Sequence, residues 1–303
     1  WATVAILYRV PMGLEYEALK QEAARLGLPL YYDIDDPIFD EATYRDNRNL
    51  DVLSAREREH LLAQIPGYKR VMEDVGRVIV STTGMSERVR SATNVDTVIV
   101  WPNLIDGATQ NIFEQLPPRN TGAREHIALG YFSGSRAHDL DLDLVAGVLA
   151  KLLQSDSRLQ LYLGGYTSLP ASLSDLGDRI TFLGFMSYHA YLEHLAAMDI
   201  HIVPLLIDRF NACKSGIRYL EASMCTVPTV ASSVGQFTEM IEDGVTGFLC
   251  NTPEDWQQAL TELTENPQRR LEMAQAARRS VLASYSLSNE RYNTLAGDII
   301  DVA

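Results

Sequence analysis

Apolar residues recur along this chain in two rhythms that take turns. Short, often β-branched runs at 3–8, 30–34, 77–81 and 95–100 alternate with longer stretches at 14–26, 54–75 and 83–92, whose apolar positions repeat every three or four residues. The short runs predict strands and the long ones amphipathic helices. In 14–26, Leu14, Ala18, Leu19 and Ala23 fall on one helical face, and Gly27 follows as a stop. Within 54–75, Pro66 and Gly67 predict a break or kink, because proline removes a helical N–H and crowds the preceding turn.

The rhythm lapses over 107–126, where Pro117, Pro118, Gly122 and many polar residues read as a linker. It then resumes, with strands at 127–132, 159–163, 180–183, 200–203 and 229–231 and helices at 142–153, 188–197 and 215–224. Asp243-Gly244 and Thr246-Gly247 give 242–251 the look of a small hairpin, and helices fill 253–263, 268–283 and 288–301. The alternation predicts an α/β chain of two Rossmann-like domains, at 1–106 and 127–286, with 287–303 as a last helix that crosses back to the first domain. In such sheets ligands bind at the carboxyl ends of the strands.

The first domain offers four strand candidates where a doubly wound nucleotide-binding domain has about six. The chain opens at Trp1, directly ahead of an apolar run. We therefore expect a piece of a longer polypeptide whose remaining part belongs to this shortened domain. A four-stranded parallel sheet exposes an edge. We expect the last helix, the 54–75 helix or a second copy of the chain to cover it.

A formal charge of −14 makes nucleic acid and anionic membranes poor partners, and no apolar run is long enough for a membrane span. Cys213, Cys225 and Cys250 form no CxxC pair, which argues against zinc and suits buried thiols in a reducing compartment such as the cytoplasm. His60, His189 and His194 sit in helical patterns, and no Ser-His-Asp spacing stands out.

Three stretches carry candidate chemistry. Ser133-Gly134-Ser135-Arg136-Ala137-His138 follows a strand and precedes a helix, where backbone N–H groups and Arg136 suit an anion. The plainer reading is a serine-capped turn. Lys214-Ser215-Gly216 opens a helix, and a lysine at that positive end calls for a negative ligand. A solvated lysine is the alternative. Glu221 lies seven residues after Lys214, close to two turns along the same face, and a carboxylate there suits a ribose diol. The competing reading pairs it with Arg218 at i−3. Asp33-Ile34-Asp35-Asp36 admits a metal-binding DxD motif, a phosphatase motif, a loop of capping acids, or an acceptor-facing role for Asp35 and Asp36. Pro37 stands where the phosphatase motif wants threonine or valine.

The run from Phe210 to Ser232, with Lys214-Ser215-Gly216, Glu221-Ala222-Ser223-Met224 and Pro228-Thr229-Val230-Ala231, resembles the C-terminal half of the retaining GT-B glycosyltransferases of group 1 (family 4-like), in particular bacterial polysaccharide transferases. Asp243-Gly244-Val245-Thr246-Gly247-Phe248 and Val100-Trp101-Pro102-Asn103 resemble further signatures of that family, and the likeness covers roughly 76–285. It implies two Rossmann-like domains facing a cleft. It also implies transfer of a hexosyl or deoxyhexosyl group from a nucleotide-diphosphate sugar to a hydroxyl acceptor such as a glycan, with retention and without metal or cofactor. Ser133, Gly134 and Ser135 then cradle the diphosphate. Arg136, His138 and Lys214 act on the leaving group, Ser215 lies beside it, Glu221 holds the ribose, and backbone near Phe185 holds the base. The family's first donor-site glutamate falls at Cys213, which departs from the pattern. A non-catalytic nucleotide-sugar-binding module and a sugar-nucleotide epimerase of the same fold are the competing functions.

Overall fold

The computed structural model describes residues 2–116, 126–134 and 139–301. They form two compact units: Trp1–Leu104 with Asp208–Ser215 and Leu287–Ala303, and Ile105–Ile207 with Gly216–Ser286.

The first unit holds four parallel strands in sequential order: β1 (Ala5–Tyr8), β2 (Leu30–Asp33), β3 (Arg77–Val80) and β4 (Thr97–Val100). Its helices are α1 (Leu14–Leu26), α2 (Glu41–Asp46), α3 (Ala55–Val75) and α4 (Thr83–Ala92). Strands added in one direction by right-handed crossovers place the intervening helices on one face. Accordingly Leu7, Tyr32, Val78 and Val80 pack with Tyr16 of α1, Val71 and Met72 of α3, and Met85 and Val89 of α4.

Helix α3 runs through Pro66 without the predicted break. A capping box between Ser54 and Glu57 secures its start, and the Gly67 carbonyl accepts a bond from the Met12 N–H at 3.2 Å. Helix α2 and the 3-10 turn Arg48–Val52 lie in a polar stretch whose periodicity is weak. The Asp40 side chain caps α2 by accepting from the Ala42 N–H.

The second unit has six parallel strands: β5 (Ile127–Ser133), β6 (Leu159–Gly165), β7 (Ile180–Gly184), β8 (Ile200–Val203), β9 (Thr229–Ser232) and β10 (Phe248–Cys250). Their spatial order, β10-β9-β8-β5-β6-β7, is the doubly wound order of dinucleotide-binding sheets, with its reversal between β5 and β8. The helices are α5 (Gly107–Gln115), α6 (Asp139–Ser155), α7 (Tyr188–Ala196), α8 (Ile217–Met224), α9 (Phe237–Met240), α10 (Pro253–Glu265) and α11 (Pro267–Ser284). One face of the sheet packs with α6 and α10, and the other with α7, α8 and α11.

Two readings change here. Gly107–Gln115, taken as linker, is a helix capped by Asp106, whose carboxylate accepts from the Thr109 N–H at 2.6 Å. Its only strong apolar residues, Ile112 and Phe113, both pack into the core, so the pattern was too sparse to register. The predicted hairpin at 242–251 is a turn leading into β10, which pairs in parallel with β9. Gly244, at φ 71°, makes the turn that dipeptide signals mark, but the pairing partner is long-range.

The last helix, α12 (Glu290–Asp301), belongs to the first unit. Ile299 packs with Tyr31, Ile79, Ile99 and Trp101, and its carbonyl accepts from the Tyr31 hydroxyl at 3.2 Å. Those residues span the sheet's second face, so the helix covers a face and not the edge the sequence reading singled out.

Candidate functional site

The switch point of the second sheet carries a cavity of about 360 Å³. The carboxyl ends of β5, β6 and β7 contribute Phe132, Ser133, Gly134, Gly164, Gly165 and Phe185, while α7 and α8 contribute Tyr188, Tyr191, Ile217, Arg218 and Glu221. Two glycines keep the floor bare. Gly165 has φ 85°, and a Cβ there would collide with the Ser133 carbonyl oxygen. A Cβ on Gly164 would run into the Phe132 ring. The loops above the floor are fixed by the first turn of α6: the Asp139 carboxylate accepts from the Ser168 N–H at 3.0 Å, and Asp141 from the Leu206 N–H at 2.9 Å.

Glu221 is 7% exposed, and its carboxylate accepts from the Tyr191 hydroxyl at 2.8 Å. Burial pushes this carboxyl above its ordinary range, while the Tyr191 and Tyr188 hydroxyls and the Arg218 charge pull it partly back. Tyr191 stands edge-on to Phe132, with ring centroids 5.2 Å apart. At the rim, Phe185 and Tyr166 stack at 4.9 Å with their planes 19° apart, both largely exposed. The walls thus combine four aromatic rings with a carboxylate and a guanidinium as charged groups, a composition suited to a nucleotide.

Four residues singled out from sequence, Ser133, Gly134, Phe185 and Glu221, meet in this one cavity. Ser135, Arg136 and His138 lie outside the described residues. The i−3 pairing of Glu221 with Arg218 is replaced by the bond to Tyr191 on the neighbouring helix. Sequence reasoning missed Arg218, Tyr188 and Tyr191 as cavity residues. The two tyrosines, three apart at the start of a helix that follows a strand end, were the available signal.

Lys214 and Ser215 belong to the first unit, and neither lines the cavity. Helix α8 starts only at Ile217, beyond its Gly216 cap. The negative group that the lysine called for is a protein carboxylate: Lys214 Nζ is 2.8 Å from Asp36 Oδ1 and 4.9 Å from the centre of the Phe210 ring. Ser215 Oγ accepts from Asn103 Nδ2 at 3.0 Å.

Asp36 also receives Arg9 Nη2 at 2.5 Å, and Arg9 Nε donates to Asp35 at 2.6 Å. Burial alone would raise the Asp36 carboxyl, but Lys214 and Arg9 outweigh it and hold it below the usual range. Arg9 itself sits at φ 50°, held there by its N–H bond to the Asp33 carbonyl and by the two carboxylates. Asp33 goes the other way. Burial and the neighbouring Asp35 charge, offset in part by Arg9, push it up to about 6. Among the described residues no group of three or more His, Cys, Asp or Glu is arranged to hold a metal ion.

Cys213 is 3% exposed and packs in the first unit's core, with the Thr82 hydroxyl donating to its carbonyl at 2.9 Å. Burial pushes its thiol up to about 11. All three cysteines are unpaired and buried. No helix among the described residues is long and apolar enough to cross a membrane.

Comparison with known proteins agrees with this geometry. The family pattern of glycosyl transferases group 1 matches residues 128–266, the part that builds the cavity. A D-inositol 3-phosphate glycosyltransferase of Kineococcus radiotolerans is 28% identical over 250 residues, covering 72% of this chain and 56% of the relative. One of Rhodococcus jostii is 25% identical over 282 residues, covering 81% and 60%. The chain thus spans little more than half the length of these relatives. Among solved structures, Anabaena HepE in complex with UDP superposes with a TM-score of 0.66 at 17% identity, covering 99% of this chain and 79% of that one. WaaG, a glycosyltransferase involved in lipopolysaccharide biosynthesis, gives 0.66 at 18% identity, covering 93% and 82%. These likenesses establish the fold. The chain has the GT-B fold of these structures, and its residues 128–266 match the glycosyl transferases group 1.

Proposed function

We propose that this chain transfers a sugar, a hexose or deoxyhexose, from a nucleotide-diphosphate donor to a hydroxyl acceptor with retention of anomeric configuration. The observation that carries this reading is the convergence of Ser133, Gly134, Phe185 and Glu221 on one cavity at the switch point of a doubly wound sheet. Glu221, buried and steadied by Tyr191, accepts bonds from the ribose diol. The base lies by Phe185, where the exposed stack with Tyr166 offers a flat apolar face. The diphosphate lies over the Ser133-Gly134 strand end. As the glycosidic bond breaks, negative charge grows on the diphosphate, and fixed donors around it lower the barrier. Arg136 and His138 are assigned to that task from sequence.

No metal or cofactor is required in this scheme, since Asp35 and Asp36 already face Arg9 and Lys214. Unpaired cysteines are in keeping with a cytoplasmic reaction. The acceptor is a glycan or another polyol, and the relatives' names make an inositol phosphate the first to try.

The test is release of nucleotide from UDP- and GDP-sugars, followed by mass spectrometry, with glycan and inositol phosphate acceptors and with chelator present. We expect acceptor-dependent release that chelator does not abolish, and an anomeric product matching the donor by NMR. Binding of donor with no release for any acceptor would make the chain a binding module. Chemical change of the donor alone would make it an epimerase. Loss of turnover in chelator, restored by manganese, would overturn the metal-free scheme.

A further inference from the structure

We infer that Arg218 is the phosphate ligand of the cavity, meeting the diphosphate of a bound nucleotide in the role the sequence assigned to Lys214. The inference rests on the nucleotide-sugar reading above and adds a residue to it.

Arg218 lines the cavity together with Ser133, Gly134 and Glu221 and is half-buried. Among the described residues it has no hydrogen bond and no ion pair, whereas most arginines that are similarly enclosed here have carboxylate or carbonyl partners, such as Arg9, Arg88 and Arg179. A guanidinium withdrawn from water with no anion against it is costly unless a ligand completes it. Its field reaches the groups around the cavity: it favours the ionised Glu221, and after burial it is the second reason His201 resists protonation.

The backbone at this point has the same bias. Arg218 stands in the first turn of α8, where N–H groups lack helical partners. The Gly216 N–H is taken by the Gln236 side chain at 2.9 Å, and those of Tyr219 and Leu220 by the Gly216 carbonyl. The N–H groups of Ile217 and Arg218 remain without a partner among the described residues, and both residues line the cavity. The planar fork of arginine fits two phosphate oxygens at once, which a lysine cannot do. Opposite them the glycine floor leaves room for phosphate to approach the ends of β5 and β6.

The experiment is calorimetric titration of the full chain with UDP, GDP and ADP, with uridine followed by ligand-observed NMR. Arg218→Gln should weaken diphosphate-nucleotide binding by roughly 10- to 100-fold, in line with lost charged hydrogen bonds, and leave uridine binding unchanged. Arg218→Lys, which keeps the charge and loses the fork, should fall between, and it serves if the glutamine variant does not fold by circular dichroism. Lys214→Ala should hold UDP affinity within about twofold of wild type. Equal UDP affinity in wild type and Arg218→Gln would overturn the assignment while the nucleotide-sugar reading stands. Wild type that binds none of the three nucleotides would remove that reading and this inference with it.

Discussion

Both units of this chain gather charge at the carboxyl ends of parallel strands, and they treat it in opposite ways. In the first, Arg9, Asp35, Asp36 and Lys214 satisfy one another at hydrogen-bond distance, and the cluster ties the loop Asp208–Ser215 to the ends of β1 and β2. In the second, Arg218 lines a cavity with no ion-pair partner among the described residues, and Glu221 is bonded by a tyrosine hydroxyl instead of a cation. The physical difference is whether a charge's complement is built into the protein. A closed network holds structure, because removing any member strands its partners. An open one leaves interaction energy for a ligand to complete. Position at a strand end is common to both, so it locates chemistry without saying which kind.

The sharpest break of this comparison is Asp36→Ala. It leaves Lys214 and Arg9 side by side with one carboxylate fewer, and the side chains of the pair Asp36–Lys214 are each only 21% exposed. Stranding such a partly buried cation should cost about 2–4 kcal/mol, less than a fully buried pair. Urea unfolding followed by far-UV circular dichroism reads this out, and UDP affinity of the folded protein should stay within about twofold. If nucleotide affinity collapses while stability holds, the closed network belongs to the ligand site and the contrast fails.

His201 tests the second unit from beneath. It is wholly buried, neither ring nitrogen has a hydrogen-bond partner among the described residues, and burial with the Arg218 charge pulls its pKa down to about 3. The unfolded chain therefore binds the extra proton between that value and about 6.5. Stability is full above pH 6.5 and declines as pH falls, by about 2–3 kcal/mol from pH 6.5 to 4.5. His201→Leu should flatten that acid slope in urea titrations. An unchanged slope would mean the imidazole finds a partner in the folded state.

Glu221→Gln probes the open network at its anionic end. The amide accepts fewer bonds from a ribose diol, so UDP binding should weaken about tenfold while inorganic diphosphate binding is unaffected. Because burial raises this carboxyl, the folded state holds its proton more tightly than the unfolded chain. Stability then falls as pH rises past the unfolded value, and the glutamine variant should lack that decline. Equal losses for UDP and diphosphate would make Glu221 a structural partner of Tyr191 alone.

How much of this was legible in sequence follows from which interactions are local. Strand ends and helix starts are written in short-range pattern, so Ser133, Gly134, Phe185 and Glu221 were all found, and they converge as the doubly wound topology requires. Lys214 was legible as a lysine in want of an anion, but its partner lies 178 residues away in sequence. No spacing rule connects them. Arg218 was read as the helical neighbour of Glu221. That pair does not form: Glu221 takes the Tyr191 hydroxyl of α7, and Arg218 lines the same cavity without bonding it. The parallel pairing of β10 with β9 was hidden for the same reason: turn dipeptides report the turn and are silent about the partner strand.

The smallest expected effect lies back in the closed network and gives the opposite pH signature to His201. Asp33 ends β2 beside Asp35, and it is the member of the acidic run with no ion pair among the described residues. Its pKa of about 6 means that the folded state binds its proton more tightly than the unfolded chain does. Stability from this group is greatest in acid and is lost as pH rises from about 4 through 6, the reverse of the imidazole's slope. Asp33→Asn removes the charge that Asp35 repels and keeps the shape. It should stabilise the protein at pH 7 by about 1 kcal/mol, a figure kept low because the carboxyl is partly exposed. At pH 4.5 the gain should nearly vanish, since the aspartic acid is then mostly neutral in the fold. Urea midpoints at the two pH values decide it. A variant less stable than wild type at pH 7 would mean that the Asp33 carboxylate is used by Arg9 after all, and that the network is wider than the bonds to Asp35 and Asp36.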